Sequence, residues 1–161
     1  MTMDIGSQWY NRIASEISQY RITLGAKDTK KYRIDQLLRI AKRIDEFSGI
    51  CSECQSHQQE INRMVENLSM MMQVADREGL KKYYKMIESL TEHLKKGHNL
   101  VEKGHYTGIG IGIGMAVGAG IGTALGAVLD SPGIGTGIGA GLGLAIGALL
   151  DKKARDENKV I

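Results

Sequence analysis

"YTGIGIGIGMAVGAGIGTALGAVLDSPGIGTGIGAGLGLAIGALLDKK", residues 106–153, is the stretch on which the fold turns. Fifteen of the chain's 21 glycines fall in 108–129 and 133–150, and the one charged residue of 108–150 is Asp130. A flexible linker pairs glycine with polar residues, whereas Ile, Ala, Leu, Val and Met stand between these glycines. A phosphate-binding loop is excluded as well. The G-x-G spacings of "GIGIGIG" are followed by no Lys-Ser/Thr pair and by no acidic residue at the dinucleotide-binding distance. The period-two alternation suggests strands, but glycine weakens strands, and strands usually run to about five or six residues. The stretch predicts two helices, 108–129 and 133–150, joined by a polar turn, "DSPG", at 130–133.

An uncharged run of this length meets the roughly 20 residues a helix needs to cross a bilayer's hydrocarbon. The expectation is therefore a transmembrane helical hairpin over 106–151, with a basic tail at 152–161. Lys95, Lys96 and Lys103 precede it, and Lys152, Lys153, Arg155 and Lys159 follow it. That excess of cations predicts a membrane protein, in a bacterial inner membrane, with both termini cytoplasmic and the lipid bilayer as a partner.

Counting by fours sharpens the hairpin. Gly110, Gly114, Gly118, Gly122 and Gly126 form one row, and Gly135, Gly139, Gly143 and Gly147 form its counterpart in the second helix. A second pair of rows, through Gly108 and Gly112 and through Gly133, Gly137 and Gly141, lies two positions away, on the opposite side of each helix. Helices with two such faces can press backbone to backbone against two neighbours. The rows predict a homo-oligomer, or close packing on another protein. These residues resemble the glycine-zipper hairpins of many bacterial membrane proteins, and "GIGIGIG" is similar to the first helix of rotary-ATPase proteolipid rings. The resemblance covers 106–151. The carboxylate those rings carry in the second helix is missing from "GIGTGIGAGLGLAIGALL", which argues against ion translocation. The layout of coiled coil and apolar hairpin is also similar to some secreted effectors that insert into host membranes.

Residues 1–105 read as a helical module, so the whole chain is expected to be all-α. Trp9, Ile13, Ile17, Tyr20 and Leu24 recur at three and four, predicting a helix over 5–24. Ile34, Leu37, Ala41, Ile44 and Phe47 predict a second over 29–48. From Ile50 a heptad-like seam runs through Cys54, His57, Ile61, Met64, Leu68 and Met71, and another through Leu80, Tyr83, Ile87, Leu90, Leu94 and Val101. These predict helices over 50–75 and 80–105, folded back as an antiparallel coiled coil about "DREG" at 76–79.

That folding places His57 opposite His98 and Cys54 opposite Val101, gathering Cys51, Cys54, His57 and His98 into one stretch of the bundle. Thiolates and imidazoles are ligands for Zn²⁺ and for iron centres, so the four are candidate metal or redox ligands. "CSEC" without a secretory signal also suits a reduced pair rather than a disulfide scaffold.

In 1–107, 17 Lys/Arg face 14 Asp/Glu with both signs interleaved, the pattern of a solvated surface rather than a nucleic-acid footprint. No nucleophile motif or paired carboxylates point to an enzyme. Three functions follow as expectations. The first is an oligomeric membrane-anchoring scaffold, assembled through glycine-zipper helices, that docks a soluble partner complex. The second is a membrane subunit binding a metal or redox centre through the CxxC/His cluster. The third is a pore-forming or membrane-inserting effector.

Overall fold

The computed structural model describes residues 7–74, 77–129 and 133–161, with the side chains of 122–129, 133 and 134 outside the description. Helices account for almost all of it: α1 (Gln8–Thr23), α2 (Ala26–Lys31), α3 (Ile34–Ser48), α4 (Ser52–Val74), α5 (Arg77–His98), α6 (His105–Leu129) and α7 (Gly133–Asp156). They divide into two compact units, one ending at His98 and including Ile161, the other Asn99–Val160.

In the first unit α3 is the central element. Ile34, Leu37, Ile40, Ala41 and Ile44 recur at three and four and are fully buried, and α3 packs against α1, α2, α4 and α5. Ile13 and Ile17 of α1, Ile61 and Leu68 of α4, and Ile87, Leu90 and Leu94 of α5 complete a core of large aliphatic side chains. The unit is a bundle, in which the seam of α4 faces α3 as well as α5.

The helix expected over 29–48 is broken at Tyr32 and Arg33. Arg33 adopts a left-handed conformation, φ 50°, which costs a non-glycine residue roughly 1–2 kcal/mol. Two tyrosines of α5 hold the break in place. Tyr83 donates its hydroxyl to the Tyr32 carbonyl at 2.7 Å, Tyr84 to the Lys31 carbonyl at 2.6 Å, and the Arg33 guanidinium lies 4.8 Å from the centre of the Tyr84 ring. The carbonyls freed by the break thereby gain donors.

Both long helices differ from their expected spans in ways that matter for the site. Ile50, read as the first seam residue, precedes α4 and is 85% exposed. The helix expected over 80–105 instead spans Arg77–His98, ending where Asn99 turns left-handed at φ 54°, a conformation Asn tolerates at a helix end. With α4 ending at Val74 and α5 starting at Arg77, the two arms pair about one helical turn away from a register folded about Ala75 and Leu80. Ala75, the last residue of the expected helix, and Asp76, the first of the expected connection, lie outside the described residues.

The second unit is a hairpin of α6 and α7 whose backbones touch. A Cβ built on Gly110 would overlap the carbonyl oxygen of Gly143. One on Gly114 would overlap that of Gly139, and one on Gly118 that of Gly135. Gly147 is pressed against the backbone of Tyr106 and Thr107. The other row is open: a Cβ on Gly108, Gly112, Gly137 or Gly141 meets nothing within 4 Å. The packing of Gly122 and Gly126, and positions 130–132 of the expected turn, lie outside the described residues.

Asp151, from the last turns of α7, closes the hairpin. Its carboxylate accepts from the backbone N–H groups of Tyr106 and Thr107, both at 3.0 Å, satisfying donors that the first turn of α6 leaves unpaired. Burial pushes the Asp151 carboxyl upward, but the donors from Thr107 and Tyr106, with the charge of Arg155, outweigh it and hold the group below its ordinary value.

The transmembrane reading is overturned. No helix among the described residues is long and apolar enough to cross a membrane. The transmembrane hairpin, the inner-membrane localisation and the topology with cytoplasmic termini are corrected with it. The physical reason lies in glycine: it supplies helix length without side-chain hydrocarbon, so the number of uncharged residues is by itself a poor measure of a membrane span. Close backbone packing within the hairpin accounts for one pair of glycine rows without a bilayer.

Candidate metal centre

The site is assembled where α3 passes into α4. The Phe47 carbonyl accepts from the N–H groups of Ile50 at 3.0 Å and Cys51 at 2.9 Å, and the Cys51 carbonyl then accepts from Gln55 N–H at 3.2 Å. Cys51 thus holds the capping position of α4, where Ser or Asp would usually accept from the free N–H groups of the first turn. Here a sulfur takes that role. The Cys54 N–H, with further help from the Cys54 thiol and the Glu53 N–H, pulls the Cys51 thiol below its ordinary value against burial and the Glu53 charge. Cys54, one turn on and fully buried, is pushed up to about 12 by burial first, then by its hydrogen bond to Cys51 and the charges of Cys51 and Glu53. The two shifts run in opposite directions, so Cys51 ionises before Cys54. Both cysteines are free.

The last turns of α5 supply two imidazoles. His93 Nε2 lies 3.2 Å from Cys54 Sγ and 3.7 Å from Cys51 Sγ, and His98 Nε2 lies 3.3 Å from Cys54 Sγ. The ligand atoms of Cys51, Cys54, His93 and His98 all fall within 4.8 Å of one another. A tetrahedral Zn²⁺, with Zn–S about 2.3 Å and Zn–N about 2.0–2.1 Å, separates its ligand atoms by roughly 3.4–3.8 Å. The three sulfur–nitrogen separations, 3.2, 3.3 and 3.7 Å, lie within a few tenths of an ångström of that range, and small side-chain adjustments bring the four residues onto the ion.

Neighbouring groups fix both rings. His98 stacks on Phe47 with centroids 3.9 Å apart and planes 17° from parallel. Burial, and then the nearby His93, hold the His98 imidazole below its ordinary value against the Glu53 carboxylate, keeping it in the neutral form a metal requires. The Glu53 carboxylate lies 3.2 Å from His93 Nδ1. By accepting the Nδ1 proton it aims Nε2 at the sulfurs, as carboxylates behind metal-bound histidines do.

Of the four expected ligands, Cys51, Cys54 and His98 come together, and His57 does not join them. His57 is buried one turn further along α4, with Nδ1 2.9 Å from the Glu60 carboxylate and its ring edge-on to His93 at 4.9 Å. The fourth position belongs to His93, because the shorter register of α4 on α5 brings that residue level with the cysteines. The signal for it was the pair His93 and His98 at the end of one helix, next to the seam residue Leu94 rather than on it. The glycines singled out for helix packing are apart from this chemistry, in the second unit. Comparison of the chain with protein-family models, with curated proteins and with solved structures finds no match.

Proposed function

We propose that this chain is a metal-dependent helical module, in which Cys51, Cys54, His93 and His98 hold a Zn²⁺ ion that ties the α3–α4 corner to the end of α5. The observation that supports this most directly is the convergence of two sulfurs and two imidazole nitrogens within 4.8 Å from positions up to 47 residues apart. Two thiolates with two imidazoles suit Zn²⁺ over hard cations, and four protein ligands close the coordination sphere, the mark of a structural ion. Burying Cys54 as a thiol beside Cys51 stabilises little by itself; burying it as a metal thiolate replaces the lost hydration with a coordinate bond. Metal binding and folding of the bundle's corner are then one event.

The test is Co²⁺ substitution in the metal-free full-length protein. The reading expects thiolate-to-cobalt charge-transfer absorption with tetrahedral ligand-field bands, lost in Cys54→Ser and displaced by Zn²⁺. A chain that takes up Co²⁺ without thiolate bands, or takes up none, refutes it.

A second reading concerns assembly. Gly108, Gly112, Gly137 and Gly141 have open space where a Cβ would be, and Ile113, Val117, Ile138 and Leu142 stand 54–61% exposed around them. Because the same spacing already zips α6 to α7, we read the open row as a contact for a second copy. Sedimentation of wild type against Gly112→Leu checks it. A homo-oligomer that Gly112→Leu dissociates supports the reading, and a wild-type monomer rejects it.

A further inference from the structure

We infer that Glu53, His57 and His93 form a second site for a divalent transition-metal ion, adjoining the first and sharing the His93 ring with it. The sharing of His93 rests on the zinc reading above; the second site itself rests on separate observations.

The main one is His57. It is 8% exposed, and its Nε2 atom is buried without a hydrogen-bond partner among the described residues. Buried polar atoms are nearly always paired, so an orphan is unusual. The Glu60 carboxylate, 2.9 Å from Nδ1, is an acceptor, so Nδ1 donates to it, and the Nε2 atom is the one left for a ligand. That Nε2 atom lies 3.8 Å from Oε1 of the Glu53 carboxylate. Two acceptors facing each other across a gap beyond hydrogen-bond length are held together poorly by a proton and well by a cation. The other Glu53 oxygen lies 3.2 Å from His93 Nδ1, and the three ligand atoms fall within 4.8 Å of one another.

The ligand types set the class of ion. Two imidazole nitrogens and one carboxylate oxygen suit Zn²⁺, Co²⁺, Ni²⁺ or Cu²⁺ and not the all-oxygen preference of Ca²⁺ or Mg²⁺. Three protein ligands leave one position for water, and the Glu53 side chain, 65% exposed, puts that position at the solvent edge. Glu60 serves behind His57 as Glu53 serves behind His93 in the singly loaded state.

Protons and charge balance. The first ion displaces the remaining thiol protons of Cys51 and Cys54. The second displaces the Nδ1 proton of His93, which passes to the buffer, and the ring becomes an imidazolate bound through both nitrogens. Two thiolates, one imidazolate and the Glu53 carboxylate together neutralise two divalent cations, so the pair of ions need not repel each other out of the bundle. No oxidation or reduction is involved.

The experiment is metal stoichiometry and Co²⁺ titration on the full-length protein, for wild type, His57→Ala and Glu53→Gln. The expected result is two ions per chain in wild type, the first raising thiolate charge-transfer bands and the second adding ligand-field absorption alone. His57→Ala binds one ion with those bands intact, which also shows that the variant is folded. Glu53→Gln, at an exposed position, likewise loses the second ion and binds the first about 10- to 100-fold more weakly. One ion per chain, with thiolate bands and an affinity that His57→Ala leaves unchanged, overturns the second site and keeps the zinc reading. An ion that His57→Ala releases, bound without thiolate bands, supports this site and sinks the zinc reading instead.

Discussion

The two units of this protein are both helical, and their helices are held together by opposite means. In the bundle, α3 contacts its neighbours through Ile34, Leu37, Ile40 and Ile44, side chains that fill the space between helix axes. In the hairpin the space itself is absent. Gly110 meets Gly143 and Gly114 meets Gly139 backbone to backbone, while the large side chains Ile113, Ile138, Leu142 and Ile146 point away at 59–61% exposure. Side-chain packing gains from hydrocarbon removed from water, whereas backbone packing gains from close van der Waals contact with almost no side-chain entropy to lose. The first tolerates a lost methylene at a graded cost. The second has no room for even one added carbon.

Metal removal is expected to separate the two units most widely. Structural zinc contributes on the order of 10 kcal/mol to folding in small zinc domains, and part of that is expected here because the bundle has its own core. Thermal unfolding with and without chelator should show a large downward shift in the transition of the bundle, a much smaller one in Cys54→Ser, and little change in the hairpin. An unshifted transition in wild type would break the contrast.

The next effect belongs to the hairpin. Gly143→Leu forces a side chain into the Gly110 backbone and is expected to cost more than about 3 kcal/mol, since overpacking alone costs about 1–3 kcal/mol and here the obstacle is main chain. Gly141→Leu, two positions away with open space at its Cβ within the chain, should cost the isolated hairpin nothing and can gain it up to about 1 kcal/mol from helix propensity, any loss falling on the contact with a second copy. Equal effects in denaturant unfolding would show that the zipped row is no different from the open one.

Ile40→Ala tests the bundle in the same terms. A buried isoleucine cut to alanine is expected to cost about 2–5 kcal/mol, with full loss of structure only if the bundle is marginal.

The smallest effect concerns Asp151. Asp151→Asn should weaken the hairpin by about 0.5–2 kcal/mol, the usual range for a helix cap. Because the folded carboxyl sits below its ordinary value of 3.8, its contribution is fully present above that pH and is lost as pH falls through the lower folded value. Acid titration of hairpin stability should therefore be flatter in Asp151→Asn than in wild type, and parallel curves would remove Asp151 from the account.

How much of this was legible in the residues differs by feature. The steps of three and four in Ile34, Leu37, Ala41 and Ile44 mark a buried helix face whatever lies across from it, and that face is buried. The every-fourth glycines mark a contact row for the same reason, and the row of Gly110 and Gly114 is in contact. Two inferences went astray where amount mattered rather than pattern. Uncharged length suggested a membrane span, but glycine carries no side-chain hydrocarbon, and no helix among the described residues is long and apolar enough to cross. The seam through Leu94 and Val101 suggested continued helix, but Asn99 ends it in a left-handed turn.

For the metal centre, "CSEC" was readable as a reduced pair of candidate ligands from residue type and spacing, but not the capping place of Cys51, because the expected helix began at Ile50 and α4 begins at Ser52. His98 was readable from the fold-back. His93 was not, because a heptad pattern specifies which side of α5 faces inward but is nearly indifferent to a slip of one turn along the axis. Periodicity and residue type, which are local, determined from sequence that the chain is helical, where each contact face lies, and that thiolates and imidazoles share the bundle. The register of α4 on α5, the pairing of one glycine row and not the other, and the Asp151 cap were decided only by tertiary structure. Each depends on which distant backbone ends lie level, and that is set by the ends of helices and by the sum of packing over whole faces.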